Sequence, residues 1–227
     1  MLHLEKEYNV NYVAVDFSLN SPGICIYNDK SKKYQFISYI KPKTGTKAEQ
    51  AFQEDISKLK DVTLIYQPDF TIGDAYSGQE LNKIKRYDRM ADDIVNLILQ
   101  ESQQGDGYTI AFEGTSYGSK MGTNNMIDMA AGAAILKLKM LKIFKPEDIQ
   151  TIVPTTIKKY AGKGNMNKLQ LYQSFLENVN GDPFLMKGEL FHFVTSTVDS
   201  EKKIPKPLDD LIDAYFLSAL LASKDRA

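Results

Sequence analysis

The order of strand-like and helix-like segments predicts an α/β protein, a mixed sheet with helices on its faces. Two observations carry this. Three apolar runs rich in β-branched and aromatic residues open the chain, and after them strand-like and helix-like runs alternate. The opening runs are NYVAVDF, ICIYN and YQFISYI, separated by SLNSPG and DKSKK. Asn, Ser, Pro, Gly and Asp are turn formers, and Asn20 to Gly23 is strong turn chemistry. Residues 42 to 78 are mixed: KAEQAFQEDISKLK is compatible with a helix and VTLIY with a short strand. From Gln79 to Gln103 the pattern is a long amphipathic helix, with Leu81, Ile84, Met90, Ile94, Leu97 and Ile98 at roughly helical spacing. GDG ends it. YTIAFEG is a compact apolar strand that closes on an acid. Asn124 to Lys142 is a helix rich in Ala, Met and Gly, so one face can approach a neighbour closely. That neighbour is either the chain's own core or a second copy. IQTIV is a short buried strand closed by Pro154, and Met166 to Glu177 is helical. Residues 179 to 207 hold Pro183, Pro205 and Pro207 and are expected to be loop-rich. LDDLIDAYFLSALLAS is a final amphipathic helix. Residues 1–227 are read as one domain with longer segments at about 42–78 and 179–207.

Composition narrows the class. Hydrophobic residues make up 43% and charged residues 25%, which suits a soluble domain with a real core. No apolar run reaches the length of a membrane span. MLHLEKEYNVN carries no apolar signal core, so a cytoplasmic location and no membrane partner are expected. The single cysteine, Cys25, lies in an apolar run and excludes a disulfide within the chain. Net charge is −1, but it is unevenly spread. Gly114 to Lys168 holds nine lysines and three acids. A basic stretch in an acidic chain is the footprint of an anionic partner, or else a solvated lysine face.

Hydrolysis of a phosphodiester needs an activated water and relief of charge on the leaving oxygen, and paired divalent ions supply both. Hard cations take oxygen ligands, so the signature is a set of carboxylates gathered from separate elements. Asp16 ends VAV and Glu113 ends IAF. If those strands are parallel neighbours, both acids emerge at the carboxyl edge of the sheet, where α/β folds place ligands. Asp210 and Asp213 are three apart on the last helix and share a face. Asp209, four before Asp213, is an alternative contributor. Capping and dipole complementation account equally well for Asp209 or Asp210. Asp213 sits one turn further in among Leu211, Ile212, Ala214 and Tyr215, where a carboxylate needs a partner or a metal.

In this order the pieces resemble the RuvC-like Holliday-junction resolvases of the ribonuclease H-like superfamily. VAVDFSLNSPGICIY is similar to the family's first hairpin and TIAFEG to its central strand. VPTTIKKYAGKGNMNKLQ is similar to its proline, lysine, Gly-x-Gly, lysine stretch, and LDDLIDAYFLSAL to its terminal helix. The resemblance implies a mixed five-stranded sheet and a metal-dependent endonuclease that cuts four-way or other branched DNA to leave 5′-phosphate ends. It implies two Mg²⁺ per site, replaceable by Mn²⁺, with Asp16, Glu113, Asp210 and Asp213 as ligands. Lys158 or Lys168 would stabilise charge on the scissile phosphate, and a homodimer would cut paired strands. The single cysteine and extended loops fit a phage or viral version.

Pro154 to Lys168 has four lysines and no acid. Lys158, Lys159, Lys163 and Lys168 are candidates to hold phosphates, with Gly162 and Gly164 allowing close backbone approach; the bland alternative is a glycine turn with solvated lysines. After Glu113, Tyr117 and Lys120 lie in a polar loop suited to lining a DNA cleft, although Tyr117 is equally readable as an ordinary exposed tyrosine. Only three arginines are present, which favours recognition of shape over base readout. Other readings are a related nuclease acting on flaps or structured RNA, and a catalytically silent module that binds branches. A sugar-kinase or actin-like ATPase ranks low, because the second domain and second Asp–Gly phosphate loop are missing.

Overall fold

The computed structural model describes residues 9–40, 46–67, 76–102, 107–114, 123–197 and 204–225. The opening forms β1 (Val10–Asp16), β2 (Gly23–Asn28) and β3 (Lys33–Ile40), followed by α1 (Lys47–Ile56) and β4 (Val62–Tyr66). Next come α2 (Tyr76–Glu101), β5 (Gly107–Glu113), α3 (Thr123–Met140) and β6 (Ile149–Ile152). The rest is helical: α4 (Pro154–Tyr160), α5 (Lys168–Leu176), α6 (Glu189–Thr197) and α7 (Leu208–Asp225).

These strands make one mixed sheet in the order β4-β3-β2-β1-β5-β6. The expected α/β class is met, with six strands where five were expected. VTLIY is the added strand, and it pairs in parallel with β3 at the edge. β1 is antiparallel to β2 and parallel to β5, so Asp16 and Glu113 do end neighbouring strands on one edge.

Side chains alternate across a strand, and this decides which face each acid takes. Tyr12 and Ala14 of β1 and Ala111 of β5 pack with α7 and the helices α4 to α6. Val13, Val15, Ile110 and Phe112 pack on the other face, against α2 and α3. By the same parity Asp16 and Glu113 belong to the α7 face. Helix α7 is buried along most of its length, and Ser218 Oγ donates to the Tyr12 carbonyl at 3.0 Å. The sheet is thus covered on both sides, and the last helix lies against the strands that carry the acids.

One expectation along the chain is revised. Residues 179–207 contain helix α6, whose Leu190, Phe191 and Val194 are buried. Its prolines fall outside the helix. Asp61 caps it, accepting from the Leu190 N–H at 3.1 Å. The lysine–glycine stretch begins with α4, a short helix with Pro154 in its first turn, where the missing N–H costs nothing. The described helices include none long and apolar enough to cross a membrane.

Candidate metal centre

Oxygens of Asp16, Glu113 and Asp213 lie within 4.8 Å of one another. Ligands held at about 2.1 Å from a magnesium ion stand up to about 4.2 Å apart. Small side-chain rotations therefore bring these three into ligand geometry. The donor set is all oxygen, which suits a hard divalent cation.

Without a cation, the three acids disturb one another. Burial pushes the Asp16 carboxyl well above the usual carboxylate range, and the charges of Glu113, Asp213 and Asp210 raise it further. Asp16 and Glu113 share a hydrogen bond. Burial also raises Glu113, opposed by that hydrogen bond and by Lys158 and Lys168. Asp213 is pushed up to about 7, first by burial and then by Glu113. Groups that resist ionisation together are stabilised by a divalent ion.

This gives a pH prediction with a definite sign. Asp213 binds its proton more tightly folded than unfolded. Its contribution to stability is full below the ordinary value of 3.8 and is lost as pH rises through about 7. Asp16 and Glu113 act in the same direction. Metal-free protein should therefore melt progressively lower between about pH 4 and pH 7, and saturating Mn²⁺ should flatten the decline. A metal-free melting temperature that does not fall over that interval would contradict the shifts.

Asp210 is placed differently. It is almost fully buried, at 3% exposure. Ser21 Oγ donates to its Oδ2 at 2.6 Å, and Lys206 Nζ donates to Oδ1 and Oδ2 at 2.7 and 2.6 Å. Burial and Asp209 raise its carboxyl, while Lys206 and Ser21 oppose them. Asp209 receives Lys168 at 2.6 Å and Lys206 at 2.9 Å. Although burial raises Asp209, these two ammoniums outweigh it and hold the carboxyl below the usual range. Asp209 Oδ1 is buried with no hydrogen-bond partner among the described residues.

Lys168 is the first residue of α5, behind the Asn167–Gln170 capping box. A cation there opposes the helix dipole. It is offset by Asp209, with Asp210 and Asp213 also near, at 3.8 and 3.9 Å. Burial lowers the ammonium, but these acids together hold it above its ordinary value. Lys158, in the last turn of α4, is close enough to lower Glu113. Lys159 and Lys163 are exposed. Gly162 has φ +146°, a conformation that favours glycine. A Cβ on Gly164 would stand 3.1 Å from Lys159 Cγ, so its close approach is to α4. Tyr117 and Lys120 lie outside the described residues.

Three participants were missed in the sequence. Ser21 looked like part of a turn, and Gly23 likewise. Gly23 opens β2 opposite Asp16, and a Cβ there would stand 2.1 Å from the Asp210 carbonyl oxygen. It is the point where the start of α7 lies against the sheet. Lys206 precedes α7 between Pro205 and Pro207, so no helical spacing marked it as the partner of Asp210.

No protein-family model matches the chain, and no curated protein matches it in sequence. Among solved structures, Thermus thermophilus RuvC is similar at 9% identity and a TM-score of 0.45, over 96% of each chain. The same protein in complex with a Holliday junction substrate is similar at 7% identity and TM-score 0.43, again over 96% of each chain. The yeast mitochondrial Holliday junction resolvase is similar at 11% identity and TM-score 0.48, over 92% of this chain and 75% of that one. What the site does rests on its own residues.

Proposed function

We propose that the protein is a metal-dependent endonuclease that cuts branched DNA, with four-way junctions as its substrate. The observation that carries the chemistry is the convergence of Asp16, Glu113 and Asp213 from two strand ends and a helix, beside Lys168. When bound, Mg²⁺ or Mn²⁺ supplies an activated water and neutralises charge on the leaving oxygen. Asp16, Glu113 and Asp213 would hold the cation, and Asp210 would complete the ligand set of a two-cation site once Lys206 leaves it. Lys168 stands at the rim, where its ammonium can meet a non-bridging phosphate oxygen and stabilise developing charge. Lys158 offsets part of the burial that raises Glu113 and so favours its charged form toward a cation. Exposed Lys159 and Lys163, with Gly162 and Gly164 between α4 and α5, face the phosphates as point charges that position DNA without reading its sequence. Tyr117 and Lys120, in the segment after Glu113, complete the DNA-binding set.

A two-fold homodimer presents two such sites to the two symmetric strands of a junction. Gly132 of α3 is already occupied inside the chain, because a Cβ there would stand 2.7 Å from the Phe17 ring. One apolar contact available for a second copy is Leu81 and Ile84 of α2 with Met126 and Ile127 of α3, all exposed. Lys83 of α2 pairs with Asp128 of α3 beside them at 3.2 Å.

A substrate panel tests this reading. Four-way junction, flap, linear duplex and RNA–DNA hybrid of matched length are incubated with the protein and Mg²⁺. The junction should be cut at least about tenfold faster than duplex, the range one well-placed set of contacts supplies. Faster cutting of flap or hybrid would move the substrate class while keeping the chemistry. Tight junction binding with no cutting of any substrate would favour a silent binding module.

A further inference from the structure

Lys206 stands between Pro205 and Pro207, just before α7. An ammonium has three N–H donors. Three carboxylate oxygens are within reach here: Asp210 Oδ1 at 2.7 Å, Asp210 Oδ2 at 2.6 Å and Asp209 Oδ2 at 2.9 Å. Ser21 Oγ takes a further place on Asp210 Oδ2. Both oxygens of Asp210 are therefore engaged. Asp210 is absent from the group whose oxygens converge, although Asp213 of that group is one helical turn away.

The partners differ in freedom. The Asp210 side chain keeps 4% of its surface and the Lys206 side chain 43%. The carboxylate is fixed, and the lysine can leave into solvent. The Lys206 backbone is held separately, since its carbonyl accepts from Gln53 Nε2 at 3.2 Å. Its side chain can therefore move without loss of the segment. Charge balance points the same way. Asp16, Glu113, Asp209, Asp210 and Asp213 carry five negative charges when ionised, and Lys158, Lys168 and Lys206 return three. One divalent ion neutralises that sum, whereas a second would leave an excess of two positive charges in the absence of a phosphate.

We infer that Lys206 is a built-in counter-cation that withholds Asp210 from the metal centre, so that the free protein takes one divalent ion through Asp16, Glu113 and Asp213. Lys206 is on this view a positioning residue that sets metal occupancy. The inference rests on the metal-centre reading above.

The experiment is a calorimetric titration of Mn²⁺ into the full chain without DNA, with bound manganese counted by electron paramagnetic resonance. Wild type should bind one ion and Lys206→Met two. Lys206→Arg, which keeps the cation, should bind one. Asp210→Asn gives a second measure that does not depend on the Lys206→Met protein folding. It should change Mn²⁺ affinity by less than about threefold, while Asp213→Asn weakens it by more than about tenfold. Two ions in wild type, one ion in folded Lys206→Met, or a loss in Asp210→Asn equal to that in Asp213→Asn would overturn the inference. No manganese bound by any variant, or binding unchanged in Asp16→Asn, would overturn the metal centre itself.

Discussion

Gly23→Ala is expected to lower both stability and metal affinity, although glycine to alanine adds one methyl group. The new Cβ would stand 2.1 Å from the Asp210 carbonyl oxygen, 2.4 Å from its carbon and 3.0 Å from the Leu211 nitrogen. All three atoms are backbone at the start of α7, so no side chain can swing away. The helix must move off the sheet, or β2 must bend beside Asp16, its ladder partner. Overpacking of this kind costs about 1–3 kcal/mol, or roughly 2–12 °C in melting temperature for a chain of this size. Asp213 moves with the helix, and a displacement of about 1 Å at a reacting centre costs on the order of a hundredfold in rate. Thermal denaturation and Mn²⁺ titration of the same preparation check both effects. A variant that melts within a degree of wild type and binds Mn²⁺ normally would show that the close approach is unimportant.

Asp16→Asn is expected to shift stability in two opposite directions, depending on metal. Burial, Glu113, Asp213 and Asp210 all resist ionisation of Asp16. A neutral amide of the same shape relieves that repulsion. In metal-free buffer at neutral pH the variant should gain on the order of 1 kcal/mol, as expected when strain kept for function is removed. With saturating Mn²⁺ the order reverses. A ligand that binds only the folded state stabilises it, by about 2.7 kcal/mol at a hundred times its dissociation constant. Wild type receives that gain and the variant loses most of it. Paired melts in chelator and in Mn²⁺ read both signs. A variant less stable than wild type in chelator would mean that Asp16 is structural.

Much of this arrangement was legible because local pattern and tertiary placement agree. The runs VAV and IAF are continuous and apolar, as central strands covered on both faces must be, and each ends on its acid. Asp213 lacked a local explanation, and it converges with Asp16 and Glu113. Asp209 and Asp210 could not be told apart, because their difference is set by distant residues. Ser21 lies 189 positions from Asp210, and Lys168, one of the two lysines paired with Asp209, lies 41 positions away. The role of Gly23 was hidden for the same reason, since a turn-forming glycine and one that admits a helix backbone look alike in sequence. Helix α6 was obscured by the prolines around it, although Leu190, Phe191 and Val194 already marked a short apolar face.

The most direct measurement is cleavage of a synthetic four-way junction by wild type and Asp16→Asn, in parallel, with Mg²⁺ and with chelator. Wild type should nick the junction only with Mg²⁺ and leave 5′-phosphate ends. Asp16→Asn should bind the junction as tightly and cut it at least about a hundredfold more slowly, since loss of a group central to charge stabilisation costs about 10²–10³. Equal cutting by Asp16→Asn, or cutting by wild type that persists in chelator, would contradict a metal-dependent nuclease built on these carboxylates.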